Sequence, residues 1–405
     1  MKQLIIFILQ GLFNAVCNRI DNSFGNNMSV DAVCVLTSLF MVNWIVREVY
    51  SLGMNAYNVL QKGAKECLLV SIVLGGFMGL ILFIFSDWIP YAFSLTTTQR
   101  ILFSKCLKVR AFYCVFAAAG DFMERYLLIK CKYKKQFLND VVFWTIMFLS
   151  DAWVVASRRE LPWLIGTTGV SYFVYCTTIL FSSGILKENF QWSSQALKEI
   201  FKHGANVCLE RLFNRVGSIV CTLYASQLGT KLYAIHGICY SVLLFAEGFS
   251  VYFNTFQIIQ LKKVEKSERF ALCKKLNRKY GVFIVTLSYL SVPVILLLLH
   301  GKVSYLDCFL YSLLYCSELV PFFFFENAQA YLMVQQQSKF LRYSGIVGVV
   351  VKVVFVTVCY CSSGNLFMFA FIYPLEQLAR ALYLYWCSVR TERKLVKGEF
   401  LKDDK

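Results

Sequence analysis

Proline and histidine are scarce in this 405-residue chain, with five and three copies. Few prolines and few polar stretches leave little room for long loops. The three histidines, His203, His236 and His300, form no HExxH and no paired ligand spacing. That excludes a local zinc site, and no metal or cofactor is expected beyond a coupling ion. A glycine-rich phosphate loop is missing, so the chain is not itself an ATP-driven pump. Sixteen cysteines are present but no Cys-x-x-Cys pair. Scattered through apolar runs, as at Cys34, Cys114, Cys208, Cys221 and Cys316, they read as small buried hydrophobes with reduced thiols. Acidic residues are also few, 24 against 41 basic ones, for a net charge of +17.

What is abundant is apolar and aromatic surface: 58% and 17% of residues, with a mean hydropathy of +0.57. A membrane-spanning helix needs about 20 mainly apolar residues. Twelve such runs appear, near 4–25, 31–60, 66–88, 99–129, 136–157, 161–185, 200–227, 232–260, 280–300, 303–334, 340–361 and 365–389. The expected fold is therefore an all-α integral membrane protein of twelve transmembrane helices. The first run continues past any signal-peptide length without a small-residue cleavage site and reads as a helix. Basic residues concentrate in alternate loops, at Lys62 and Lys65, Lys130 to Lys135, Lys187 to Lys202, Lys262 to Lys279, Lys339 and Arg342, and in the C-terminal tail. This bias places both termini in the cytoplasm of a cell-membrane protein and accounts for the net charge without nucleic acid.

Two internal echoes imply duplication. Glu48, Ser51 and Asn55 recur at the same spacing as Glu247, Ser250 and Asn254. Asp121, Glu124, Tyr126 and Leu127 recur as Glu326, Gln329, Tyr331 and Leu332. An offset of six spans preserves orientation, so the halves are expected to be parallel repeats about the membrane normal. The division is an N-terminal six-helix lobe at 1–185, a cytoplasmic linker at 186–199, a C-terminal lobe at 200–390 and a basic tail at 391–405.

Charges at membrane depth are costly and ordinarily pair or line a polar cavity. Asp121 with Arg125, and Glu376 with Arg380, are spaced to pair within one helix. Glu48, Glu210 and Glu247 have no base three or four residues away, and Arg19, Arg47, Arg211 and Arg215 are likewise alone on their helices. These groups are expected to meet in a cleft between the lobes. At i, i+3 and i+7 each Glu–Ser–Asn set would form a stripe facing that cleft. There the carboxylates could exchange H⁺ or Na⁺, with Asn214, Ser51, Asn55, Ser250 and Asn254 completing the shell. Glu124 and Glu318 carry no such expectation, the first for its nearness to the interface.

The segment LGTKLYAIHGICYSVLLF, residues 228–245, resembles the multidrug and toxic-compound extrusion (MATE) transporters of a wider flippase superfamily, through Gly229, Ala234 and His236. The stretches RIDNSFG, at Arg19–Gly25, and ERYLLIKCKYKKQF, at 124–137, resemble the ends of that family's first and fourth helices. The family's prolines in the first and seventh helices are absent. The resemblance implies a secondary transporter, not an enzyme: a cation-coupled antiporter exporting organic cations by alternating access, as a monomer. Glu210 then matches the family's cation-coupling acid, Asp21 and the arginines tune the site, and His236 orients the eighth helix. Two alternatives are a flippase for lipid-linked oligosaccharide, whose phosphates would suit the arginines, and a membrane-embedded transferase.

Overall fold

A computed structural model describes residues 2–362 and 369–396. The described residues are helical, with no strand among them. The helices are α1 (Lys2–Met28), α2 (Val30–Tyr50), α3 (Leu52–Leu60), α4 (Ala64–Phe85), α5 (Thr97–Ile129), α6 (Tyr133–Ala156) and α7 (Leu161–Ser183). There follow α8 (Ser194–Gln227), α9 (Thr230–Leu261), α10 (Arg269–Leu299), α11 (Tyr305–Tyr315), α12 (Leu319–Val334), α13 (Lys339–Ser362) and α14 (Ile372–Val396). Taken together as single spans, α2 with α3 and α11 with α12 restore the twelve runs read from the sequence.

Eight of these spans are long and apolar enough to cross a membrane by composition alone. The chain is a multi-pass membrane protein. Helices α1, α5, α8 and α14 fall outside the eight; in the last three, Arg110, Asp121, Glu210, Glu376 and Arg380 are buried.

Several boundaries differ from the sequence reading. Helix α8 begins at Ser194, capped by the Ser193 hydroxyl accepting from the Ala196 N–H, so most of the expected linker's second half is helical. Helix α10 begins at Arg269, which puts Lys274, Lys275, Arg278 and Lys279 on a helix extension instead of a loop. Of the expected tail, 391–396 completes α14, and the rest lies outside the described residues, as does 363–368. No disulfide forms among the described residues.

The second echo is repeated in the backbone. After Tyr126 the chain leaves α5 through three bonds: Lys130 N–H to Tyr126 O, Cys131 N–H to Leu128 O and Lys132 N–H to Leu127 O. After Tyr331 it leaves α12 in the same way, through Gln335 to Tyr331, Gln336 to Met333 and Gln337 to Leu332. Cys131 and Gln336 occupy equivalent left-handed positions, with φ of 56° and 59°. Each tyrosine hydroxyl then donates to a glutamate beyond or at the end of its lobe's last helix, Tyr126 to Glu188 at 2.7 Å and Tyr331 to Glu392 at 2.9 Å.

The first echo is not matched in shape. Helix α2 ends at Tyr50 and the chain bends at Ser51 into α3, whereas α9 runs unbroken through Ser250.

The two halves meet along two seams. Away from the basic loops, Ser38 and Tyr233 hydroxyls lie 2.8 Å apart and the Asn26 amide donates to Leu299 O at 2.9 Å. Gly237 packs so tightly there that a Cβ would stand 1.9 Å from Thr37 Oγ1, so glycine is required. Towards the basic loops contact follows α2 and α3 against α8, with Cys208 Sγ on Glu48 O at 3.0 Å and Lys262 Nζ on Asn58 O at 2.9 Å.

Candidate functional site

Between the halves lies a cavity of about 480 Å³. Its wall reaches Leu128, one residue before the end of α5, and Gln136 in the first turn of α6. It therefore runs from mid-membrane to the face that carries the basic loops. Fifteen charged side chains line it. The bases are Arg19, Arg47, Arg125, Arg211, Arg215, Lys352 and Arg380; the acids are Glu48, Asp121, Glu124, Asp140, Glu210, Glu247, Glu318 and Glu326. Aromatic rings, Trp44, Trp144, Tyr172, Tyr240 and Phe325 among them, fill the gaps.

Within the cavity the charges sort into local circuits. Glu48 crosses between the halves, its carboxylate 3.4 Å from Arg215 Nε and 4.0 Å from Arg211. Arg215 also lies 3.2 Å from the centre of the Trp44 ring, a cation–π contact over the same seam. Asp121 accepts from Arg47 at 2.9 Å and from the Tyr50 hydroxyl at 3.1 Å. The expected pairing of Asp121 with Arg125 does not form; Arg125 instead donates to Thr255 Oγ1 at 3.0 Å. Reaching across to α9 satisfies a donor that Asp121, already filled from α2, cannot.

Glu210 sits in a buried four-charge cluster. Arg380 bonds both Glu210 and Glu376, the latter at 2.9 Å, as the within-helix spacing of Glu376 and Arg380 predicts. Lys352 lies 3.5 Å from Glu376 and donates to Asn214 Oδ1 at 2.6 Å and Ser218 at 3.0 Å. A cation at Glu210 would have to displace a guanidinium, and Asn214 is turned to a lysine.

Four other lining carboxyl groups, Glu124, Glu247, Glu318 and Glu326, have no base within salt-bridge distance among the described residues. Glu247 and Glu318 are neighbours on the cavity wall. On the basic side Arg19 and Arg125 have no carboxylate partner, and Arg19 Nε and Nη1 are buried without any hydrogen bond.

The stripe expectation is corrected by the packing. Only Glu48, Ser51 and Glu247 of the two sets reach the cavity. The Asn55 amide turns back 3.2 Å to Ser51 Oγ, Asn254 donates to Glu326 O at 2.7 Å, and Ser250 is buried away from the wall. The bend at Ser51 breaks the i, i+3, i+7 register on α2, and α9's lower face is covered by α12.

Asp21 lies outside this cavity. It neighbours Asp151, which accepts from Thr167 Oγ1 at 2.5 Å, beside a second cavity of about 200 Å³ lined by α1, α2, α5, α7 and α9. His236 is fully buried, with Nδ1 2.7 Å from the Tyr315 hydroxyl and Nε2 3.2 Å from Thr222 Oγ1. It ties α9 to α8 and α11. Gly229, before α9, has a φ of +96°, which L side chains rarely adopt.

Sequence reasoning passed over Glu318, Glu326, Lys352 and Asp140. Lys352 had a usable signal: it is the single charge in the run GIVGVVVKVVFVTV. Glu318 had none, since only the fold brings it to Glu247.

At the level of sequence no protein-family model and no curated protein matches the chain. Among solved structures it is similar to a MOP superfamily transporter from Pyrococcus furiosus described as having a binding pocket of reversed polarity. That match has 12% identity, covers 97% of this chain and 96% of the other, and gives a TM-score of 0.80. It is also similar to multidrug resistance MATE family transporters in an inward-facing conformation (13% identity, 97% and 99% covered, TM-score 0.70) and in an outward-facing one (13%, 97% and 96%, 0.74). Over nearly its whole length, the chain has the twelve-helix fold of the MATE transporters of the MOP superfamily.

Proposed function

We propose that the protein is a secondary active transporter, an antiporter that exports organic cations in exchange for H⁺ or Na⁺. The observation that carries this reading is the charge balance of the cavity. Eight acidic side chains line it against seven basic ones, and Glu124, Glu247, Glu318 and Glu326 have no base at salt-bridge distance among the described residues, which leaves room for positive charge. The Glu247–Glu318 pair is the exchange site for the coupling ion. In this reading the two carboxyl groups share one proton, and a cation entering between them releases it. Solute and ion then compete for one set of carboxylates, which is the minimal requirement of antiport. Neighbours of this fold in inward- and outward-facing forms support rocking of the two lobes about the cavity. The basic face is taken as cytoplasmic, so the cavity opens inward in this structure.

A second reading, flipping of a lipid-linked oligosaccharide, draws on Arg19, Arg47 and Arg125 in the same cavity, where a diphosphate would find unmet donors. Proteoliposomes with an imposed H⁺ or Na⁺ gradient and a cationic dye decide between them. Gradient-driven dye movement, lost in Glu247→Gln and Glu318→Gln, supports the antiporter. A silent dye assay beside translocation of a lipid-linked sugar overturns it.

A further inference from the structure

The second cavity contains a charge with no carboxylate at salt-bridge distance among the described residues. Arg110 lies thirteen residues into α5, about 20 Å along the helix axis from its start and hence near mid-membrane. Its side chain is 6% exposed and lines the 200 Å³ space formed by α1, α2, α5, α7 and α9. Nε donates to Asn43 Oδ1 at 2.9 Å, and the guanidinium carbon stands 4.3 Å from the centre of the Tyr113 ring. Nη1 is buried without a hydrogen bond, and no carboxylate among the described residues lies within salt-bridge distance. Of the two acids on the same wall, Asp121 is engaged by Arg47 and Tyr50, and Asp21 faces Asp151 beyond salt-bridge distance of Arg110.

A buried guanidinium without a counter-charge costs several kcal/mol, and an arginine cannot shed its proton to escape that cost. The amide of Asn43 and the Tyr113 ring offset only part of it. The remainder calls for an anion. We infer that the cavity beside Arg110 is a binding site for a small monovalent anion, of which chloride is the physiologically abundant one. One water needs roughly 10–15 Å³ of such space, so there is room for an ion of that size with several waters. Asn18 on the α1 side of the wall supplies a further amide, while those of Asn22 and Asn26 donate to Asn18 Oδ1 and Leu299 O. The space adjoins the solute cavity, sharing Trp44, Arg47, Asp121 and Tyr172 with its wall, but Arg110 itself lines only the smaller one.

The test is the melting temperature of the purified full-length protein in detergent, titrated with sodium chloride against sodium gluconate at constant ionic strength. Radioactive chloride binding is measured in parallel. The expected result is a saturable rise with chloride alone and one chloride bound per chain. Arg110→Gln should abolish both. Lys105→Gln, which removes an exposed charge from the same helix, should leave both intact. Asn43→Asp places a carboxylate beside Arg110 and keeps the inference testable if Arg110→Gln does not fold. It should raise the melting temperature without chloride and remove the chloride response. Equal responses to chloride and gluconate in the wild type, or a chloride response that survives in Asn43→Asp or Arg110→Gln, would overturn the site.

Discussion

Replacing Arg380 by Met tests whether Glu210 holds the C-terminal half together or exchanges ions. Arg380, Glu210, Glu376 and Lys352 are each at most 2% exposed, and they balance two acids against two bases. Removing Arg380 leaves two carboxylates facing one ammonium in a low-dielectric interior. Breaking a buried pair from one side costs about 3–5 kcal/mol, because the surviving charge is stranded. Removing Glu210 as well, in Arg380→Met/Glu210→Gln, leaves Glu376 with Lys352 and restores neutrality. The double variant should therefore be destabilised by less than either the Arg380→Met variant or the sum of the singles, with a coupling of at least about 2 kcal/mol. Equilibrium unfolding of the purified protein in detergent measures all four corners of the cycle. The double variant should also keep gradient-driven transport if, as proposed, the exchange site lies at Glu247 and Glu318. Additive effects, or singles within about 1 kcal/mol of wild type, would show that the cluster is not the closed circuit described. Loss of ion dependence in a stable double variant would return the coupling role to Glu210.

Gly237→Val should hold the lobes apart on the face away from the basic loops, because its Cβ would stand 1.9 Å from Thr37 Oγ1. Labelling of Cys34, 1% exposed at that seam, by an impermeant maleimide should rise, as read by mass spectrometry. Glu48→Gln weakens the contact with Arg211 and Arg215 across the basic-side seam and should shift the same label in the opposite direction, towards protection. Tyr126→Phe and Tyr331→Phe should each cost about 1 kcal/mol in unfolding experiments, since each gives up one bond to a partly exposed carboxylate. Glu188, in the linker, is held below the ordinary carboxylate range by the Tyr126 hydroxyl and then by Lys130. Its contribution is complete above the unfolded value near 4.3 and is lost as pH falls through the lower folded one. Glu188→Gln should flatten the acid-side fall of the melting temperature between about pH 5 and pH 3.

The spans were legible because a lipid-facing helix has one solution, a run of about 20 apolar residues. Their ends were less so. Lys274 to Lys279 looked like a loop by charge alone, yet a helix can project beyond the membrane and stay helical. Unpaired ionisable groups pointed correctly at the cavity for Glu48, Arg47, Arg211 and Arg215, since a charge without a partner on its own helix must find one elsewhere. The stripe argument failed at Asn55 and Asn254 because periodicity assumes a straight helix and an unoccupied face. The bend at Ser51 and the packing of α12 on α9 removed one condition each. Partners drawn from distant segments, such as Glu318 for Glu247 or Lys352 for Glu376, leave no local trace to read.

The matched exits from α5 and α12 bear on how such a molecule arose. The same three-bond turn, the same left-handed residue and the same tyrosine-to-glutamate tie recur after an interval of 205 residues, from Tyr126 to Tyr331. A half-length ancestor carrying that turn would have inserted in a single orientation and paired with its own copy across a two-fold axis. Fusion freed each copy to change alone. The change is concentrated on the cavity side of the turn: Asp121 faces Arg47 while its counterpart Glu326 has no base, and Glu124 answers to a neutral Gln329. Polarity across the cavity is thus a property that a symmetric pair of identical chains could not possess.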